Sequence, residues 1–308
     1  MHTNVPNITL KPFLKWAGGK TQLLPVISHN YPFELGKSIT KYAEPFIGGG
    51  AVLFDILSNY QLEEVYISDI NADLINTYNA IKYHCEELIT LLIHLRDTYL
   101  KLTDLEQNIF YYDIRQKYNK ITPTSYTTIN ILKAVYFIFL NKTCFNGLYR
   151  VNRSGEFNVP AGKYKNPSIL DIPNLLNIAN RLSNVKIVHG NYEKCANFVD
   201  KKTFVYFDPP YRPISKTSSF TAYSSDVFDD SAQEQLAHFI QKLSHIGAKV
   251  LASNSDPKNT DTDDMFFDNL YKNFTIKRIN ANRMINRDKD KRGKITELLI
   301  TNYLNYHN

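Results

Sequence analysis

Three consecutive glycines, Gly48-Gly49-Gly50, lie between a β-rich run and a helical one, and no other feature limits the fold of this chain as strongly. Lys41 to Pro45 leads into them as a strand. Ala51, Val52, Phe54, Ile56 and Leu57 follow at spacings that give a helix one buried face. Val65-Tyr66-Ile67 is a second short strand, ending in Ser68-Asp69. Strand, glycine turn, helix, strand and acid together make an α/β unit. Glycines at such a turn let backbone approach a ligand closely. Asp69 follows Gly50 by 19 residues, where a carboxylate can accept both ribose hydroxyls of a nucleotide. The pair therefore suggests an adenosine-containing cofactor. It is not G-x-G-x-x-G, which weakens a nicotinamide-dinucleotide reading, and a tight turn followed by an N-capping Asp fits the same residues.

From about Asn71 to Ile121 the pattern becomes helical, with Leu74, Ile75, Tyr78, Ile81, Leu88, Leu91, Leu92 and Leu95 at three- and four-residue spacing. A second helical run covers about Thr128 to Asn141. Between Asn146 and Pro167 aromatic, polar and basic residues alternate around Ser154-Gly155, which predicts a β-hairpin. Strands return at Val185–Val188, Thr203–Phe207, Ala248–Ala252 and Ile295–Asn302, with helices near Pro173–Leu182 and Ser231–Leu243. The 308 residues allow two domains, or one large domain with an insertion. The order of elements favours an α/β domain interrupted by a mainly helical segment.

Hydrophobic residues make up 43% of the chain and charged residues 21%, which excludes wholesale disorder. The three cysteines, Cys85, Cys144 and Cys195, form no C-x-x-C pair, and no His shows ligand spacing, so no metal site is expected. Such thiols suit a reducing cytoplasm. The N-terminus lacks the pattern of a secretory signal, and the most apolar window, Ile131 to Leu140, is too short to span a bilayer. Net charge is +6, which permits an anionic partner. The run Asn282 to Lys294, with six basic residues and two acids, is the best candidate for a mobile loop.

The sharpest chemical signal is Asp208-Pro209-Pro210-Tyr211, directly after the apolar run Phe204 to Phe207. Two prolines cannot continue a sheet ladder, so the strand stops there with a rigid exit. Asp208 and a proline carbonyl become preset hydrogen-bond acceptors, and Tyr211 adds an aromatic face. Acceptors beside an aromatic plate suit a planar ring bearing an exocyclic amine.

FLKWAGGK at 13–20, EPFIGGGAVLF at 44–54, SDIN at 68–71 and DPPY at 208–211 occur in that order. FNGLYRVNRSGEFNVPAGKYKNP at 145–167, FTAY at 220–223 and RGKITELLITNY at 292–303 accompany them. Over nearly its whole length the chain resembles the α-group (D12 class) adenine-N6 DNA methyltransferases, the Dam family, and most of all the members that modify GATC. The resemblance implies a Rossmann-like class I methyltransferase sheet with an inserted, mainly helical target-recognition domain bearing a β-hairpin. Residues 1–71 and 171–308 would then form the catalytic domain and 72–170 the recognition domain. It implies S-adenosyl-L-methionine as cofactor, S-adenosyl-L-homocysteine as product, and double-stranded DNA as substrate. Trp16, Lys20, Phe46, Gly48, Gly50, Asp69 and Asp208 are implied to line the cofactor pocket. Asn191 and Tyr192 join them, although relatives often carry Gly-Asp-Phe where this chain reads Gly190-Asn191-Tyr192. Asp208, Pro209 and Tyr211 are implied to be catalytic.

Lys15 is implied to contact DNA, Phe145 to wedge into the opened duplex and Arg150 to read guanine. Asn146, Leu148, Pro160 and Tyr164 match further DNA-contacting positions, and Phe220 and Tyr223 are candidates to line a flipped-base pocket. A palindromic site does not require a dimer, so a monomer is compatible with this reading. A bacterial or phage-borne source in a cytoplasmic setting follows from the family alone. Two other readings remain: a DNA-binding protein that kept the scaffold without catalysis, and a methyltransferase acting on RNA or on cytosine-N4. Intact Trp16, Lys20, Asp69 and DPPY argue against the first, and the DPPY form with its hairpin against the second.

Overall fold

In the computed structural model the described residues are 9–121, 129–212, 228–282 and 294–304, and among these seven strands form one sheet. They are β1 (Lys41–Glu44), β2 (Glu64–Asp69), β3 (Val185–His189), β4 (Thr203–Phe207), β5 (Lys249–Ser255), β6 (Thr275–Asn282) and β7 (Lys294–Thr301). The spatial order is β3-β2-β1-β4-β5-β7-β6. The first five strands are parallel, and β7 runs antiparallel to both neighbours. Strand order reverses between β1 and β4, the crevice where open α/β sheets bind ligands. β4, with sequence TFVYF, is buried at every position, as a central parallel strand covered on both faces must be.

The helices are α1 (Leu24–Ser28), α2 (Ala51–Asn59), α3 (Ala72–Leu100), α4 (Asp104–Lys120), α5 (Ile131–Thr143), α6 (Ile172–Leu182), α7 (Asp230–His245) and α8 (Phe266–Leu270). One core cluster packs α2 to α6 against one face of the sheet, through residues such as Phe54, Tyr78, Ile81 and Phe204. A second, containing Leu236, Ile240 and Phe267 of α7 and α8, covers the other face. No helix among the described residues is long and apolar enough to cross a membrane.

The structure refines the sequence expectations. The helical region 71–121 is two helices: Thr103 accepts from the Glu106 backbone N–H, Glu106 accepts from that of Thr103, and this capping box starts a new helix. α3 is itself kinked at His84. β6 was not anticipated, and β5 runs on to Ser255. The 146–167 segment turns back on itself around Ser154-Gly155 as expected, with antiparallel bridges pairing Val151 with Phe157 and Cys144 with Ala161, although the pairing is too short to form a regular two-stranded ladder. Asn152 N–H donates to the Glu156 carbonyl at 2.8 Å and Asn158 N–H to that of Arg150 at 3.1 Å, while Asn152 Oδ1 accepts from the Ser154 and Glu156 N–H groups and closes the turn. The expected mobile loop Asn282 to Lys294 falls, but for its two end residues, outside the described residues, as do Phe220 and Tyr223.

Candidate active site

Three acids come together because the parallel strands end together. Glu44 closes β1, Asp69 closes β2, and Asp208 follows β4. Glu44 is buried, which pushes its carboxyl well above the usual range, and it accepts from the Tyr42 hydroxyl at 2.7 Å. Burial also raises Asp69, against the pull of backbone donors, Asn71 and Gly48 foremost. Gly48 N–H donates to its Oδ2 at 3.0 Å and Asn71 N–H to its Oδ1 at 2.9 Å, so Asp69 ties the glycine loop to the start of α3.

The glycine loop is shaped by its neighbours. Gly48 has φ +46, and a Cβ there would come within 2.9 Å of Trp16 Cδ1. Gly50 has φ +73, and a Cβ would meet the Tyr78 hydroxyl at 2.5 Å. Only glycine satisfies both conditions. Tyr78 uses that hydroxyl to donate to the Gly48 carbonyl at 3.2 Å. Trp16 therefore lies over the loop, and it stacks on Tyr149 at 5.5 Å between centroids. On the far side of the crevice Phe46 stacks on Tyr192, also at 5.5 Å. Asn191 is exposed and donates to Glu193.

Around Asp208 the chain builds a polar pocket. The Lys20 ammonium is 2.7 Å from Asp208 Oδ1 and 4.7 Å from the Tyr211 ring centroid. It also donates to the Gly18 carbonyl at 2.8 Å. The Tyr211 hydroxyl donates to Glu297 of β7. Burial raises the Glu297 carboxyl, with the Lys20 charge and the tyrosine donor pulling the other way. Arg212, next in sequence, forks onto Asp230 at 2.6 and 2.8 Å and reaches Asp264 at 2.6 Å, fixing the exit of the motif.

The residues expected to meet DNA gather on the loop after α5. Phe145 is 52% exposed, and Asn146, Arg150 and Pro160 are exposed, whereas Leu148 and Tyr164 are partly covered. Arg150 donates from Nε to Asn158 Oδ1 at 2.7 Å, which holds its guanidinium on the surface. Lys15 joins this group: its ammonium lies 4.8 Å from the Tyr164 ring centroid. Buried Asn141 clasps the two segments, accepting from Lys15 N–H at 2.8 Å and donating to the carbonyls of Lys15 and Gly147 at 2.8 and 3.1 Å. Asn141→Ala leaves all three backbone groups without that partner, and the expected cost is about 2–4 kcal/mol in urea denaturation. A variant as stable as the parent would show that the clasp contributes nothing.

Sequence reasoning did not single out Tyr149, Asn141, Ser253 or Glu297. Glu297 lies inside the quoted C-terminal motif, and Tyr149 inside the hairpin motif, but no spacing marks either one. Among the described residues no group of three or more His, Cys, Asp or Glu is arranged to hold a metal ion.

A mainly parallel sheet in this order, with the glycine loop after β1, an acid closing β2 and DPPY following β4, defines a Rossmann-like methyltransferase. Residues 16–285 match the family model of the D12 class N6 adenine-specific DNA methyltransferases, and the chain belongs to that family. It is similar to Type II methyltransferase M.MjaIII of Methanocaldococcus jannaschii, with 51% identity over 296 residues, covering 96% of this chain and 99% of the relative. Type II methyltransferase M1.LlaDCHI of Lactococcus lactis subsp. cremoris is 38% identical, covering 97% of each chain. The DNA adenine methylase of Escherichia coli (strain K12) is 32% identical over 289 residues, covering 94% of each chain.

Proposed function

We propose that this chain transfers the methyl group of S-adenosyl-L-methionine to N6 of an adenine flipped out of double-stranded DNA, within GATC. The observation that carries the reading is Asp208: a carboxylate at the sheet switch point with one oxygen held by the protein and the other without a protein partner among the described residues. The donor set fits the cofactor. Asp69 has lone pairs beyond the two already used, which suit a ribose diol, and the Phe46–Tyr192 pair and Trp16 offer apolar walls for an adenine and its tail. When bound, the cofactor supplies an electrophilic sulfonium methyl.

The work left to the chain is positional. The lone pair of an adenine amine is delocalised into its ring, so the nitrogen is a poor nucleophile. Asp208 and the Pro209 carbonyl accept the two amine hydrogens, which localises that lone pair and aims it. Tyr211, its ring pinned through Glu297, presents a face to the flipped base and to nearby positive charge. A base inside a duplex is out of reach, so the adenine leaves the stack. Phe145, exposed just after α5, takes the wedge position, offsetting part of the unstacking cost. In this reading residues 72–170 are the target-recognition part, and Lys15 contributes a contact from the catalytic side.

The choice of GATC rests on the likeness of the 145–167 segment to the GATC-modifying members. A protection assay tests it. The protein is incubated with cofactor and unmethylated plasmid, then digested with one nuclease that cuts only unmethylated GATC and another that cuts only the adenine-methylated site. Resistance to the first with sensitivity to the second is expected. Labelled methyl incorporation without protection would mean a different recognition sequence, and no incorporation would overturn the enzymatic reading.

Arg150 supplies the specificity test. A guanidinium can bond guanine O6 and N7 together, worth about 1–3 kcal/mol of discrimination. Arg150→Ala is expected to relax selection at one guanine position, measured by competition between sites differing there. Uniform weakening on all sequences would place Arg150 on phosphate instead.

A further inference from the structure

Asp208 is held asymmetrically. Both of its protein donors reach the same oxygen: the Lys20 ammonium at 2.7 Å and the Ser253 hydroxyl at 2.9 Å from Oδ1. Among the described residues Oδ2 has no partner. Ser253 is on β5, where Ala252 pairs with Phe207, so sheet register alone brings it beside Asp208. Its Oγ is also 3.0 Å from the hydroxyl of Tyr206 and 3.4 Å from the Phe207 carbonyl. A serine hydroxyl has one proton, and the carboxylate is both the nearer and the charged acceptor. Tyr206 is therefore the donor to Ser253. The order Tyr206 to Ser253 to Asp208 Oδ1 makes a relay with every proton assigned. Tyr206 is fully buried and Ser253 is 1% exposed, so water does not compete for these bonds.

We infer that Ser253 and Tyr206 are positioning residues for methyl transfer. They fix the plane of the Asp208 carboxylate so that Oδ2 is the acceptor presented to the substrate amine. A carboxylate torsion is broad and nearly two-fold when nothing holds it. Lys20 alone is a point charge that either oxygen can satisfy, whereas the serine hydroxyl, held from behind by Tyr206, defines one direction. Neither residue is required to touch cofactor or DNA. The inference rests on the reading of Asp208 as the amine acceptor.

The test uses the full-length protein and single-turnover methylation of a GATC duplex with labelled cofactor, which isolates chemistry from product release. Ser253→Ala is expected to slow that rate by about 10- to 100-fold, with cofactor and DNA dissociation constants within about twofold of the parent. Tyr206→Phe keeps the ring and removes the donor, and a smaller loss is expected. In the Ser253→Ala background Tyr206→Phe should slow the reaction no further, because the relay is already cut. The same double variant should regain stability, since it no longer buries an unpaired tyrosine hydroxyl. Stability and rate thus move apart if the role is positional. A double variant that recovers both would show a structural role only and overturn the inference. Asp208→Asn separates the two levels. If it is inactive while Ser253→Ala runs at the parental rate, the relay plays no part and the acceptor reading stands. If Asp208→Asn keeps the parental rate, that reading fails and the inference with it.

Discussion

Asp208→Asn is expected to lower the methylation rate by about 10³-fold, the loss typical of removing a preorganised electrostatic group, while specific DNA binding persists. The size follows from the surroundings. Lys20 and Ser253 both donate to one oxygen of Asp208, so an asparagine there must turn its carbonyl to them. Its NH₂ then occupies the place of Oδ2 and faces the adenine amine, so that a donor meets a donor. The variant changes little in volume, and the Lys20 ammonium keeps the Gly18 carbonyl, so the fold should survive with reduced stability. Rate is read by single-turnover incorporation and DNA affinity by fluorescence anisotropy. A rate within about tenfold of the parent would remove Asp208 from the chemistry, because mutation of a group with this role costs more.

The second large effect is expected at Asp69. Its two oxygens accept from Gly48 and Asn71, so Asp69→Asn must point its NH₂ at one of two backbone donors. The glycine loop and the first turn of α3 would then repel the side chain that ties them together. The charged acceptor for a ribose diol is lost in the same step. Hydrogen bonds to a charged group are worth about 1.5–3 kcal/mol each, so cofactor affinity should fall by about 10²-fold or more. Calorimetric titration with S-adenosyl-L-homocysteine measures this directly. An unchanged dissociation constant would place the ribose elsewhere.

Local signals in the sequence were sufficient for the elements that carry them. The run from Lys41 through the glycines to Asp69 folds as read, because the turn, the buried helix face and the strand ending in an acid are each encoded within a few residues. DPPY does end a buried strand. The break before α4 was also written locally, as Thr103 and Glu106 at capping-box spacing inside an otherwise helical pattern. β6, reading TIKRINAN, lacks apolar alternation strong enough to announce a strand and exists because β7 pairs with it along its length. The turn at Ser154-Gly155 was legible from the alternation around it, whereas the shortness of its pairing was not, because Asn152 Oδ1 takes the Glu156 N–H that would have extended it. Ser253 and Glu297 were invisible for a different reason. They reach Asp208 and Tyr211 across sheet pairings 45 and 86 residues away in the chain, a distance at which spacing carries no information.

The seam between β1 and β4 has a temporal consequence. Lys41 pairs with Thr203, so the crevice forms only after the chain has closed a loop of more than a hundred residues. Contacts this distant fold slowly, because closure entropy is lost before the contacts compensate for it. Ser253 and Glu297 come later still. A chain emerging from the ribosome therefore holds its glycine loop and α3 to α5 well before Asp208, Ser253 and Glu297 can be brought together.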